Sequence, residues 1–137
     1  MSIPSISQQN IEFDQWNQLK KELNQLNRPI YFKQREIWWA SLGKNLGHEQ
    51  DGKNTLFERL VLIIRKFNLR IFLAVPLTSS IKKNDYYQPY ILQKKHFSAI
   101  LSQVRLLDSK CLQRKIATLD RHQFDLILNK IIYLIQP

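Results

Sequence analysis

A long polar loop carries the residues of this 137-residue chain that are best suited to chemistry. It lies between an aromatic segment that contains Trp38 and Trp39 and the apolar segment Leu60–Phe67, and it presents His48–Gln50 before ending at Arg59. An imidazole that titrates near neutral pH can move a proton, and a guanidinium can bind two phosphate oxygens at once. The loop is therefore the first candidate for chemistry on a phosphate.

Short strands are predicted to hold this loop in place. They are rich in β-branched and aromatic residues and cover Tyr31–Leu42, Leu60–Phe67, Arg70–Leu77, Tyr86–Leu92, Phe97–Leu107 and Lys115–Leu119. The second and third are expected to form an antiparallel hairpin, with Asn68 in the turn. Pro89 indicates an edge strand, because proline cannot donate to a neighbouring strand. With helices at both ends, this pattern predicts a mainly β (α+β) fold, a small twisted barrel covered by helices.

Helices are predicted near both ends of the chain. Asp14 is a candidate cap for a helix that runs to about Asn27. Apolar residues of that helix recur at helical spacing: Trp16, Leu19, Leu23 and Leu26. This stripe either packs on its own domain or forms a partner or dimer surface. Ser109–Arg114 is predicted to form one helical turn.

The clearest helix follows Asp120. Gln123 stands at the position of a capping-box partner. The apolar stripe of this helix comprises Phe124, Ile127, Leu128, Ile131, Leu134 and Ile135. A stripe that continuous predicts that the helix covers one face of the sheet.

The charge of the chain favours polyanionic partners. Lys and Arg number 21 against 11 Asp and Glu, a formal net charge of +10. Nucleic acid, an acidic protein segment or an anionic membrane surface fits that charge, and a solvated basic surface is the alternative. The N-terminus lacks the features of a signal peptide, and no apolar run approaches the roughly 18 residues that span a bilayer. We therefore expect a cytoplasmic protein without a membrane partner.

The sequence offers no cofactor or metal motif. Cys111 is the single cysteine, which excludes an internal disulfide and predicts a reducing compartment. Nothing beside it in the sequence would activate its thiol. Three scattered histidines and one cysteine do not have the spacing of a zinc site. We predict neither a metal nor another cofactor.

Five short pieces of the chain, in order, resemble the MazF/PemK (Kid) toxins of type II toxin–antitoxin systems. The pieces are Glu36–Leu42, Gly47–Gln50, Arg59 with the strand after it, Pro76–Ser79 and Leu101–Asp108. The resemblance runs from about Gln34 to the C-terminus and leaves Met1–Lys33 outside the family core. Two units are predicted on this basis, an N-terminal helical extension (1–30) and a toxin barrel (31–137).

The resemblance implies an SH3-like β-barrel of the CcdB/MazF type, usually a homodimer, which a cognate acidic antitoxin inhibits. It also implies metal-independent, sequence-specific cleavage of single-stranded RNA through a 2′,3′-cyclic phosphate. That reaction needs a deprotonated 2′-OH in line with the phosphorus. It also needs stabilisation of the charge on the phosphorane and a proton for the leaving 5′-oxygen.

The resemblance assigns three residues to catalysis. Arg59 matches the family's arginine and is expected chiefly to stabilise the transition-state charge, with proton donation to the leaving group as a second role, since a guanidinium that stays protonated is a poor base. A strand-flanking salt bridge is the alternative. Thr78 matches the family's threonine, whose hydroxyl is expected to donate to a phosphate oxygen. The alternative is a turn residue whose side chain bonds only to its own backbone. His48 belongs to the GHEQ motif of the PemK/Kid branch and is expected to act as base or acid, with an exposed loop histidine as the alternative.

Four further residues are predicted to bind RNA. Glu49 is expected to orient Arg59 or His48, and Gln50 to contact a base or the RNA backbone, although either can instead brace the loop. Ser79 offers a second hydroxyl beside Thr78. The fourth, Gln103, is open to RNA contact or core support.

The chain also departs from the family pattern. Ile100 and Ser102 stand where Kid-type enzymes carry a catalytic arginine and aspartate, and Leu60 replaces a proline. The connection from Gln50 to Arg59 is longer than in many members. A non-catalytic CcdB-like toxin, whose relatives poison DNA gyrase by binding, therefore stays open as an alternative, as does an RNA- or protein-binding module.

Overall fold

The computed structural model describes residues 5–136, which form two α-helices and one open sheet of seven strands. The elements are α1 (Ile6–Gln25), β1 (Glu36–Ser41), β2 (Glu58–Lys66), β3 (Ile71–Thr78), β4 (Tyr87–Leu92), β5 (Lys95–Ile100), β6 (Arg105–Asp108), β7 (Leu112–Thr118) and α2 (Arg121–Ile135). The strands pair antiparallel in the order β4-β5-β3-β2-β1-β7, with β6 beside β3. The predicted mainly β fold with terminal helices is confirmed, although the edge strands β4 and β7 do not pair to close the barrel.

The β2–β3 hairpin brings two predicted site residues together. Val61 lies opposite Pro76 in the register of this pair. Arg59 and Thr78 each lie two residues further toward the same end, so the hairpin alone makes them neighbours. The end of β3 also pairs with β5, where Thr78 lies opposite Ser98.

Two apolar clusters form the core, one on each face of the central strands. Neighbouring residues such as Ile37 and Trp38 belong to different clusters, as strand alternation predicts. The helix α2 packs on the first cluster through Phe124, Ile127 and Ile131. The predicted apolar stripe does not stay buried to its end, because Ile135 is 72% exposed.

Two sequence-based element boundaries near the N-terminus are wrong. The helix α1 begins before Asp14, because Ser5 caps it by accepting a hydrogen bond from the Gln8 amide at 3.2 Å. The first strand begins at Glu36 rather than Tyr31, since Arg35 has a left-handed φ of 75° that interrupts extended backbone.

The predicted strand Phe97–Leu107 is also wrong. A turn of 3₁₀ helix at Leu101–Gln103 divides it into β5 and β6. The Leu101 side chain stays in the core, and its amide donates to the Tyr86 carbonyl at 2.8 Å. The apolar pattern therefore continues through the break and conceals it. The following helical turn is shorter than predicted, Ser109–Cys111, and β7 begins at Leu112.

Asp120 caps α2 as predicted, but Gln123 does more than close a capping box. Asp120 Oδ2 accepts from the Gln123 amide at 3.1 Å. The Gln123 side chain contacts the same carboxylate and makes two hydrogen bonds with the backbone of Ile91, at 2.6 and 2.7 Å. It thereby attaches α2 to β4, which is the edge strand that Pro89 predicted.

The helix α1 packs on its own domain. The Trp16 and Phe57 rings lie 5.6 Å apart, and a Cβ added at Gly43 would stand 1.9 Å from the indole. Lys44 binds Glu12 of the helix at 3.2 Å. Trp16 of the apolar stripe thus lies against the loop that precedes β2, while Leu23 is buried and Leu26 is exposed. No helix within residues 5–136 is long and apolar enough to cross a membrane.

Replacing Trp16 with alanine is expected to loosen α1. The lost apolar and ring contacts correspond to about 2 kcal/mol. Urea unfolding should show the loss, and hydrogen exchange should show faster exchange in α1 than in α2. Tyr31→Ala, which removes an aromatic side chain that is 82% exposed, is the matched control. Equal exchange rates in the two variants would contradict this packing role.

Glu36 makes the stability of the sheet depend on pH. Burial opposes its ionisation, but hydrogen bonds from Trp38, Lys115 and the Lys33 amide outweigh burial and lower its pKa below 4.5. The stabilisation is therefore present above pH 4.5 and is lost as pH falls through the folded-state value. Glu36→Gln should lower Tm at pH 7, and its difference from wild type should shrink in acid. A constant difference would contradict this role.

Candidate active site

Arg59, at the start of β2, is held by two backbone carbonyls. Its Nε donates to the Asp51 oxygen at 2.8 Å, and its Nη1 donates to the Leu77 oxygen at 3.3 Å. Burial lowers the pKa of Arg59, and the nearby Asp51 carboxylate opposes that shift. Arginine stays charged at neutral pH even so. Within residues 5–136, Arg59 makes no salt bridge, so its other N–H groups remain available for an anion.

Arg59 shares a cavity of about 400 Å³ with Thr78 and Ser79. The other lining residues are Trp39, Lys53, Asn54, Glu58, Leu60, Leu77 and Phe97. The Thr78 oxygen accepts from the Ser80 amide at 3.2 Å, which is the local backbone bond expected of a turn residue. The bond uses only the oxygen, and the hydroxyl hydrogen is left to donate. The cavity therefore combines a fixed cation with two hydroxyls.

Glu58 is a cavity residue that sequence reasoning missed. Its side chain is only 4% exposed and accepts from Arg114 Nη1 at 2.8 Å and from Asn54 Nδ2 at 3.2 Å. The Arg114 guanidinium lies 5.2 Å from the Trp39 ring centre, because these residues face each other across β1 and β7. Its position directly before Arg59 in the sequence is the signal that could have identified Glu58. Arg114 gave no signal, since its contact depends on a pairing of distant strands.

His48 lies outside the Arg59 cavity. It is exposed and lines a separate cavity of about 560 Å³ together with Glu49 and Gln103. Gln103 Oε1 accepts from the Gln50 amide at 2.7 Å, and Gln103 Nε2 donates to the His48 carbonyl at 3.3 Å. Gln103 thus attaches the loop to the segment after β5.

The predicted contacts of Glu49 are not found in the described part of the chain. Its Oε1 accepts from the Leu46 amide at 3.2 Å, which braces the loop. No hydrogen bond or salt bridge joins it to the side chain of Arg59 or His48 there. Gln50 lines neither cavity, and its amide is bound to Gln103. The structure therefore brings together Arg59 with the two hydroxyls and places the GHEQ residues apart from them.

The long loop between β1 and β2 is internally bonded. Asp51 accepts from Lys44 Nζ at 3.2 Å and from the Asn45 amide at 2.5 Å. The Gly52 amide donates to the Gly43 carbonyl at 2.7 Å. These bonds hold the two ends of the loop together and position the Asp51 carbonyl to accept a hydrogen bond from Arg59. Among residues 5–136, no group of three or more His, Cys, Asp and Glu is arranged to hold a metal ion.

The open sheet and terminal helices define a small, mainly β fold with an arginine at the open end of the β2–β3 hairpin. A family model described as the PemK-like, MazF-like toxin of type II toxin–antitoxin systems matches residues 33–135. The chain belongs to that family. The helix α1 precedes the matched residues. No curated protein matches the sequence.

Solved structures share the fold at low sequence identity. MazF from Deinococcus radiodurans superposes with a TM-score of 0.64 at 17% identity, covering 79% of this chain and 99% of that one. A mycobacterial endoribonuclease in complex with its cognate antitoxin gives 0.59 at 11%, covering 78% and 98%. The Mycobacterium tuberculosis toxin MazF-mt6 gives 0.53 at 20%, covering 72% and 92%. At such identities the likeness shows the fold alone.

Proposed function

We propose that this toxin is a sequence-specific endoribonuclease that cleaves single-stranded RNA without a metal ion, through a 2′,3′-cyclic phosphate. The observation that carries the proposal is the cavity in which Arg59, fixed by two carbonyls, lies with Thr78 and Ser79. Family membership supports it. A cation and donors fixed before the substrate binds can stabilise developing charge without having to reorganise.

The Arg59 cavity supplies charge stabilisation directly. The free N–H groups of Arg59 would bind the non-bridging oxygens of the scissile phosphate, whose charge grows in the phosphorane. The Thr78 hydroxyl would donate to the same phosphate, with Ser79 beside it. Because the backbone already fixes the guanidinium, little side-chain entropy is lost when RNA binds.

Removal of the 2′-OH proton is proposed to fall to Glu58. It is the carboxylate that lines the cavity, and its ion pair with Arg114 fixes its position. His48 stays a prediction as acid or base, but from its separate cavity it would have to move with the loop. Arg59 is the candidate donor to the leaving 5′-oxygen.

Glu58→Gln should lower kcat by about 10²–10⁴-fold, the range for loss of a general base. His48→Gln should stay within a few-fold of wild type, since the side chain is outside the cavity. The isosteric glutamine limits the disturbance of Arg114 and Asn54. Single-turnover cleavage of labelled RNA measures both. The reverse ranking would assign proton transfer to His48.

The proposed partners follow from charge and family. A net charge of +10 suits RNA and an acidic antitoxin, and the structurally similar mycobacterial endoribonuclease is bound to its own antitoxin. We propose that a cognate antitoxin inhibits this chain, that the chain acts as a homodimer, and that it acts in the cytoplasm. The division into a 1–30 extension and a 31–137 toxin unit is likewise a proposal.

The test is incubation of the purified protein with a single-stranded RNA pool in EDTA, with mapping of the new ends. We expect cleavage at a recurring short sequence, and slower cleavage of the same sequence in duplex RNA. Cleavage that requires Mg²⁺, or random cleavage, would contradict the proposal.

A non-catalytic toxin is the second candidate. It is favoured by Ile100, which the family resemblance places where Kid-type enzymes carry a catalytic arginine and which is a core residue only 2% exposed. Such a protein would bind a target such as DNA gyrase. Recovery of gyrase by the immobilised protein, together with no RNA cleavage, would reverse the order of the two candidates.

A further inference from the structure

A cavity distinct from those of Arg59 and His48 adjoins the proposed active site. It measures about 550 Å³ and lies between α1 and the end of the loop before β2. Its lining residues are Gln8, Glu12, Gln15, Lys44, Asp51, Gly52, Lys53, Asn54, Thr55 and Phe57. Lys53 and Asn54 line the Arg59 cavity as well, so the two cavities share a wall. We call this cavity the α1 cleft.

Contacts of α1 fix the outer wall of the α1 cleft. Trp16 packs on Phe57 and against Gly43, and Glu12 is bound to Lys44. These contacts follow one another along the helix, so its cleft-lining side is held against the loop. The helix lies outside the matched residues 33–135, and this wall is therefore supplied by the extension of the chain.

The chemistry of the α1 cleft suits a base better than a phosphate. Lys44 is paired with both Glu12 and Asp51, and together with Lys53 the charged lining residues sum to zero, so the cleft has no excess positive charge to hold an anion. The helix contributes the solvent-exposed side-chain amides of Gln8 and Gln15, and neither is hydrogen-bonded to another residue within 5–136, so both can bind a ligand. An amide presents a donor and an acceptor together, the pattern that reads a base edge.

We propose that the α1 cleft binds a nucleobase of the single-stranded RNA that flanks the scissile phosphate, with Gln8 and Gln15 reading its edge. The inference rests on the proposed RNA substrate. Proteins read single-stranded RNA through unstacked bases, and a pocket beside the phosphate site receives such a base. An acidic antitoxin segment is the less suitable occupant, because Glu12 and Asp51 cancel the charges of the two lysines that line the cleft. The extension thereby becomes a determinant of cleavage sequence.

The test separates base reading from cleavage. The protein selects from a random single-stranded RNA pool in which fluorine replaces every 2′-hydroxyl, so bound RNA cannot be cleaved. Wild type is compared with the Gln8→Ala/Gln15→Ala double variant. Gln18→Ala is the matched control, since Gln18 is exposed on the same helix, contacts Glu22 and lines neither cavity. Each change favours the helix, so folding should persist.

We expect wild type and Gln18→Ala to select the same base at one position, and the double variant to lose that preference by about tenfold. Unchanged preference in the double variant overturns the inference, even if natural RNA is cleaved. So does failure of wild type to select RNA. Loss of antitoxin binding instead of base preference would assign the α1 cleft to the antitoxin. Loss of the preference in a protein that cleaves no natural RNA would support the inference and contradict the proposed nuclease.

Discussion

Replacing Arg59 with alanine should lower kcat for RNA cleavage by about 10³-fold or more. Removal of one preorganised donor from a charge-stabilising site costs about 10²–10³-fold, and removal of a phosphate-binding arginine about 10³–10⁵-fold. Arg59 is both, since backbone carbonyls fix it and its free N–H groups face the cavity with Thr78. Single-turnover kinetics with saturating RNA measure the effect without interference from product release.

Two variants make the Arg59 result specific. Arg59→Lys keeps the charge but loses the two-pronged geometry, and it should recover only part of the activity. Arg65→Ala removes an exposed arginine from the same strand, where it lies over Phe67, and should leave kcat within a few-fold of wild type. Equal losses for the Arg59 and Arg65 alanine variants would mean that general charge, not this site, drives cleavage.

Replacing Gly52 with alanine should displace the loop that holds Arg59. The added Cβ would stand 1.5 Å from the Phe57 carbonyl oxygen, which is backbone and cannot turn aside. The neighbouring Asp51 carbonyl, which accepts from Arg59, must shift with it. A misplacement of about 1 Å near the reacting groups can cost about 10²-fold in rate. We expect kcat to fall by about that factor, with stability reduced as well.

Gly47→Ala is the matched control for Gly52→Ala. Gly47 lies in the same loop, and nothing stands within 4 Å of its added Cβ. Its φ of +52° adds backbone strain of about 1 kcal/mol, but the Arg59 cavity is untouched. The control should lose a little stability and retain cleavage. If Gly52→Ala cleaves as fast as Gly47→Ala, the Asp51 carbonyl does not position Arg59.

The fold was predictable where patterns are local. Strand alternation separated Ile37 from Trp38, and the β2–β3 hairpin followed from two apolar runs joined by a turn at Asn68. That hairpin was enough to make Arg59 and Thr78 neighbours. The 3₁₀ break at Leu101–Gln103 was not predictable, because its first residue keeps its place in the core.

The candidate site was less predictable than the fold, because loop geometry depends on distant contacts. His48 and Arg59 belong to the same loop in the sequence. In the structure, however, the His48 carbonyl accepts a hydrogen bond from Gln103, 55 residues away, and His48 lines a different cavity from Arg59. The bond of Lys44 to Glu12 likewise joins α1 to the loop and has no local sequence pattern. Motifs therefore named Arg59, Thr78 and His48, while Glu58 and the distances between these residues required the folded chain.

The most direct test of the proposed chemistry is cleavage of a preferred single-stranded RNA and of the same RNA with one 2′-deoxy nucleotide 5′ to the scissile bond, both in EDTA. Mass spectrometry identifies the new ends. The proposed mechanism predicts that the all-ribose RNA yields a 2′,3′-cyclic phosphate and a 5′-hydroxyl, and that the deoxy substitution stops cleavage at that bond. Cleavage of the deoxy-substituted bond, or a 5′-phosphate product, would contradict it.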